Sequence, residues 1–254
     1  MRTLALSVAA IVLAASLSPG TEARAQSPGV AALAGHWRCT LAGGRSAERS
    51  YFLARPMRGR GTERELFGRQ DTTEPDGTPV ASFERIAEST GGGTTVQAVE
   101  GTGTAAGASP LRFSGRSFDD DTTFSLTYAV SGDLLARTAT RGAKTIDDER
   151  CTREPEPPAN ASCDKPNVRA TTLHAEEPSY PAEAVASRAQ GVVQVRVVLD
   201  DQSRVLWADV VKSASPLLSD EAVRAARASV YHTEIRNCRP ISAEYIFTVE
   251  FSWR

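Results

Sequence analysis

Histidine and cysteine are scarce, with three and four residues respectively in a chain of 254. There is no Gly-x-Ser-x-Gly elbow, no His-Glu-x-x-His pair and no Walker loop. That removes the serine-hydrolase, zincin and P-loop chemistries that depend on those spacings. Cys-x-x-Cys and His-x-x-x-His pairs are missing too, so nothing indicates a metal centre. His36 adjoins Trp37, while His174 and His232 read as polar loop residues. No catalytic residue, metal or cofactor is expected, and the protein is read as a non-enzyme. A charge of one sign is lacking as well: 29 Lys and Arg stand against 31 Asp and Glu, which excludes a basic nucleic-acid surface.

Long apolar runs are absent with one exception. Residues 4–17 form an uninterrupted stretch of 14 apolar and small residues behind Arg2. It is shorter than the roughly 17–25 residues of a membrane-spanning helix. Ala23-Arg24-Ala25 follows as a small-x-small site, so residues 1–25 read as a secretory signal peptide cleaved before Gln26. The expectation is a soluble periplasmic protein, or an inner-membrane-anchored one if the leader is retained. Four cysteines in an exported chain read as two disulfides, for which three pairings are possible. If each domain closes on itself, the bridges are Cys39–Cys151 and Cys163–Cys238.

After a short tail at 26–34, residues 35–153 show no helical period. Short apolar alternations are broken by Gly43-Gly44, Pro75-Asp76-Gly77, Gly91-Gly92-Gly93, Ser131-Gly132-Asp133 and Arg141-Gly142. This predicts an all-β domain, an antiparallel barrel or sandwich. Its clearest hairpin pairs 123–130 with 134–140. Gly35-His36-Trp37 resembles the Gly-x-Trp that opens lipocalin-like barrels, which implies a Trp at the barrel base and leaves open a small ligand carried inside. Arg55, Arg58, Arg60 and Arg64 form the one basic cluster, interrupted by Glu63 and Glu65, and read as a solvated hairpin loop. The glycines of 101–107 lack the strand-to-helix setting of a phosphate loop and read as a flexible turn.

Residues 154–162 hold three prolines and no apolar anchor, a spacer of on the order of 30 Å when extended. The α+β pattern that follows, 163–254, predicts three antiparallel strands and two helices. Pro181 opens a helix over 182–189, with Gly191 as its C-cap. Strands follow at 192–199 and 204–212, then a helix from Pro216 with Leu218, Ala222, Ala225 and Ala226 as its buried stripe. The last strand, 244–253, sets Tyr245, Phe247, Val249, Phe251 and Trp253 on one face, and Glu244, Thr248, Glu250 and Ser252 on the other.

The ordered series Tyr180-Pro181, Gly191 before a valine-rich strand, Asp200-x-x-x-Arg204-Val205, Pro216-x-Leu218, Ala222 and Tyr231 resembles the TonB C-terminal domain family. Asn237-Cys238-Arg239-Pro240 resembles its disulfide-bearing periplasmic branch. The resemblance implies a module that binds the extended TonB box of an outer-membrane receptor as an added strand. The implied partner-binding residues are Glu177, Pro178, Tyr180, Thr248, Glu250 and Ser252, and the open edge also allows a homodimer. The chain departs from the family in three places: Ser203 stands where Gly is usual, Ser219 where Asp is usual, and Thr233 where Pro is usual. A Ser-x-x-x-His anchor pattern and a long Pro-rich spacer are absent. The reading is therefore peptide docking, with energy transduction from an uncleaved anchor and ligand carriage as alternatives.

Overall fold

Glycine-bearing turns decide the N-terminal architecture. Gly77, Gly92, Gly132 and Gly142 take positive φ at four of the hairpin turns, a region where a Cβ is disfavoured. Between such turns the computed structural model has ten antiparallel strands: β1 (Gly35–Leu41), β2 (Ser46–Ala54), β3 (Thr62–Thr73), β4 (Pro79–Ser89), β5 (Thr94–Ala98), β6 (Gly101–Ala106), β7 (Leu111–Ser117), β8 (Thr123–Ser131), β9 (Leu134–Arg141) and β10 (Lys144–Arg153). Each pairs with its sequence neighbour, and β1 with β10, closing an up-and-down barrel. Described are residues 29–54, 61–98, 100–106, 110–155 and 162–252. The expected leader, Arg55, Arg58 and Arg60, most of the 154–162 spacer and Trp253 lie outside them.

Alternation sends every second side chain into the barrel. One end is apolar. Trp37 is fully buried with Leu33, Leu66, Ile86, Phe113, Phe124 and Leu126, and a 3-10 helix (Val30–Leu33) lies beside it. The Trp37 indole N–H donates to the Leu33 carbonyl at 2.8 Å, and the Arg153 guanidinium lies 4.0 Å from its ring centroid. Cys39 and Cys151 are direct partners across β1 and β10 and are joined by a disulfide.

The rest of the interior is charged. Arg49, Glu84, Arg137 and Glu149 are buried. Arg49 bonds Glu149 through Nε at 3.0 Å and Nη2 at 2.6 Å, and reaches Glu84 at 2.9 Å. Arg137 bonds Glu100 at 2.9 Å and Asp147 at 2.7 Å. Tyr51 and Tyr128 donate their hydroxyls to Glu84, and burial pushes both phenols well above their usual range. Gly68 makes room for this network, since a Cβ there would lie 2.7 Å from both Glu84 Cγ and Tyr51 Cε1. Charges this deep are tolerated only when paired and hydrogen-bonded, which the reciprocal Arg and Glu contacts achieve.

The C-terminal module begins with β11 (Asn167–Val168), β12 (Thr171–His174) and α1 (Ala182–Ala186). Then come β13 (Gly191–Leu199), β14 (Val205–Ser213), α2 (Pro216–Ala228), β15 (Val230–His232), β16 (Glu234–Arg236), β17 (Arg239–Ile241) and β18 (Ala243–Phe251). The main sheet has the order β14-β13-β18. Pro216 occupies the first turn of α2, whose buried residues are Leu218, Ala222, Ala225 and Ala226, the stripe expected from the sequence. They pack on Val193, Val195 and Val197 of β13 and on Phe247, Val249 and Phe251 of β18. A second disulfide joins Cys163 to Cys238, in the two-residue turn between β16 and β17.

Four local expectations are corrected. Residues 101–106 are strand β6, not a turn. The glycines serve close approach instead: a Cβ on Gly101 would lie 2.2 Å from the Arg116 carbonyl oxygen, and one on Gly103 2.9 Å from that of Ser114. The first helix stops at Ala186, and the left-handed residue after it is Arg188, at φ 51. Gly191 is thus no C-cap; it opens β13 at φ 128, where a Cβ would meet that of Ala214 at 2.6 Å. His174 and His232 lie in β12 and β15, which pair with each other, so neither is a loop residue.

Candidate docking edge

β18 pairs with β13 over its whole length, from Gly191 opposite Phe251 to Leu199 opposite Ala243. Among the described residues no strand pairs with its other side. Such an edge presents a row of backbone N–H and C=O groups that a further strand could take up. The alternation read from the sequence holds: Phe247, Val249 and Phe251 are buried, and Glu244, Ile246, Thr248 and Glu250 are exposed. Thr248 stands opposite Gln194 and Glu250 opposite Val192, and Ser252 is exposed just beyond the strand.

The segment before α1 is held against α2. The Glu176 N–H donates to Ser229 Oγ at 2.9 Å, and the Ser179 N–H to Glu221 at 3.2 Å. Glu177 is exposed and Pro178 half-buried. The Tyr180 ring packs edge-on against Phe251, with centroids 5.5 Å apart, and its hydroxyl donates to the Ala189 carbonyl. The six residues expected to contact a partner therefore fall into two groups, three on β18 or just beyond it and three, Glu177, Pro178 and Tyr180, in the segment before α1. Thr248, Glu250 and Ser252 flank the open edge, while Tyr180 fixes the approach to it by packing beneath its end.

The turn entering β14 is organised by Asp200. This buried carboxylate accepts from the N–H groups of Gln202 at 2.9 Å and Arg204 at 2.8 Å, and from Arg204 Nε at 2.6 Å. Ser203 then takes φ 68, a left-handed conformation that costs a residue with a Cβ about 1 kcal/mol. Its hydroxyl oxygen accepts the N–H of Thr233 at 2.9 Å, and Thr233 Oγ1 donates to the Ile241 carbonyl at 2.6 Å.

The barrel covers part of the sheet face away from the helices, where β13 and β14 approach their shared turn. Val198 and Leu206 form a cluster with Phe67 of β3, joined by Phe52, Ala54 and Trp207. Arg196 and Glu65 are both fully buried and ion-paired. Arg85 also pairs with Glu65, Arg196 bonds Asp209 at 2.9 Å, and the Arg196 guanidinium lies 5.5 Å from the Phe67 ring centroid. Burial alone would raise the Glu65 carboxyl; its bonds to Arg196 and Arg85 outweigh that and hold it below its usual range. At the margin, Arg204 meets Asp71 at 3.1 Å and His36 meets Asp201 at 3.0 Å. The Asp201 hydrogen bond raises the His36 pKa against the opposing effect of burial.

Residues 176–253 match the protein family described as the Gram-negative bacterial TonB protein C-terminal. This module is a TonB C-terminal domain. The barrel lies outside the matched residues, and no curated protein matches the chain. Within the TonB C-terminal domain, two of the departures noted in the sequence meet each other. Ser203 supplies the acceptor, and Thr233 supplies an N–H that a proline would lack. Sequence reasoning missed the docked face altogether. Its one signal was Arg196, a charge in the middle of the most apolar strand, where residues 195–199 are all buried.

Proposed function

We propose that the protein is a periplasmic, two-domain TonB-like protein whose TonB C-terminal domain receives an extended segment of a partner on the outer edge of β18. In this reading residues 35–153 and 163–254 are the two domains, joined by 154–162. The observation that carries it is the pairing of β18 on one side only, while α2 covers one face of the sheet and the barrel meets the other at Val198 and Leu206, away from the exposed Thr248 and Glu250. What the unpaired edge offers a partner is backbone. Main-chain hydrogen bonds supply affinity in this mode, and the side chains flanking the edge select the sequence, a role assigned to Glu177, Pro178, Tyr180, Thr248, Glu250 and Ser252.

The family points to envelope transport, and the natural partner class is the N-terminal segment of an outer-membrane receptor. Among the described residues no helix is long and apolar enough to cross a membrane. The barrel interior, filled by Trp37, Phe113 and the Arg49–Glu84–Arg137–Glu149 network, lends no support to a ligand carried inside it. The test is a titration of the isotopically labelled full chain with a receptor N-terminal peptide. Amide shifts concentrated in residues 243–251 are expected. Shifts absent there at saturating peptide would sink the reading.

A further inference from the structure

Docking of the barrel against the TonB C-terminal domain leaves a cleft beside their contact. Its volume is about 740 Å³, and its walls come from both sides: Arg69 and Phe83 from the barrel, and Arg204, Trp207, Arg227 and Tyr231 from the domain. Neither part has the cleft alone. Pockets of this size at such junctions accommodate small molecules.

The lining has a definite sign. Three arginines face the cleft, and none of its lining residues is acidic. Two of the arginines draw on acids behind the wall, Arg69 on Asp71 at 2.7 Å and Arg204 on Asp71 at 3.1 Å and Asp200 at 2.6 Å. One carboxylate, Asp71, thus serves two guanidiniums. Arg227, exposed in the last turn of α2, makes no hydrogen bond or ion pair among the described residues. The remaining wall sets Ser82, Gln97, Ser203 and Ser229 among apolar and aromatic faces. Phe83 is 36% exposed beneath the Arg69 guanidinium, which sits 5.2 Å from its centroid, and Val230 is 51% exposed on the opposite wall. Excess positive charge over aromatic faces suits a ligand with an anionic head and an apolar ring body.

We propose that this cleft binds an amphipathic organic anion, a carboxylate, sulfonate or phosphate carried on a flat apolar body. The site is separate from the β18 edge and does not rest on the peptide-docking reading.

The experiment titrates the full chain with anilinonaphthalene sulfonate by fluorescence and calorimetry, and in parallel with phenylnaphthylamine, a similar ring body without the anion. One saturable site is expected for the anion. Arg227→Gln, which removes no hydrogen bond or ion pair among the described residues, should weaken it about fivefold, the worth of one exposed charge-assisted hydrogen bond. Phe83→Ser on the barrel wall should weaken it by a similar factor. Lys212→Gln, an exposed cation at the other end of β14, should leave it unchanged. Circular dichroism melts check that each variant is folded. The proposal is overturned by lack of saturable binding, by unchanged affinity in either cleft variant, by equal weakening in Lys212→Gln, or by equally tight binding of the neutral compound.

Discussion

Asp147 and Glu149 stand two residues apart on β10 and titrate in opposite directions. Burial raises both, but the Arg49 and Arg137 guanidiniums overcome it at Glu149 and hold that carboxyl at about 2. Asp147 is raised to about 7, by burial first and then by the neighbouring Glu149, with Arg137 opposing. The signs give two pH windows. Glu149 contributes stability above its unfolded value near 4.5, lost as pH falls towards 2. Asp147 binds its proton more tightly folded than unfolded, so its contribution is lost as pH rises from 3.8 towards 7. Asp147→Asn removes that loss, and Arg137 keeps Glu84, Glu100 and Glu149 as partners. Its stability relative to wild type should rise by a few kcal/mol, about 4 at most, between pH 4 and 8. Urea unfolding at the two pH values checks this, and a constant difference would refute the assignment. The network was partly legible beforehand: Ala47, Arg49 and Tyr51 alternate on one face of β2. What local pattern could not say is that this face turns inward, because that depends on closure of the barrel.

Among the elements, α2 and β18 were legible because their apolar residues keep the period of their own backbone, so the burial stripe is written locally. The short strands β11, β12 and β15–β17 were not, since each is three residues or so long and is held by a distant partner or by the Cys163–Cys238 bridge. The β13–β14 turn lies between these cases. Its Asp200-x-x-x-Arg204 frame is local, whereas the worth of Ser203 depends on Thr233, thirty residues on. Ser203→Ala keeps the left-handed strain and strips the buried Thr233 N–H of its acceptor, and should cost about 1–2 kcal/mol. Ser203→Gly loses the same acceptor but relieves a strain of similar size, and should be nearly neutral. Guanidinium midpoints order the three proteins. A glycine variant as unstable as the alanine variant would show that the hydrogen bond alone matters.

At the scale of the whole molecule, the barrel covers the β13–β14 part of the TonB C-terminal domain's sheet, and Arg196 within an apolar strand is the one local sign of it. The contact joins β2 and β3 to β13 and β14, and its ion pair lies 131 residues apart in the chain. Buried pairs of this kind contribute little net stability over an apolar replacement, yet breaking one side strands a charge and costs about 3–5 kcal/mol. Arg196→Met leaves Glu65 buried with Arg85 alone, so it should destabilise the chain strongly and divide one calorimetric transition into two as the barrel and the domain come apart. Glu65→Leu with Arg196→Met removes both charges. Arg85 and Asp209, whose side chains are 25% and 22% exposed, can then turn to water, and most of the loss should be recovered along with the single transition. Calorimetry of the single and double variants decides the point: equal melting of Arg196→Met and wild type would mean that the pair does not hold the two parts together.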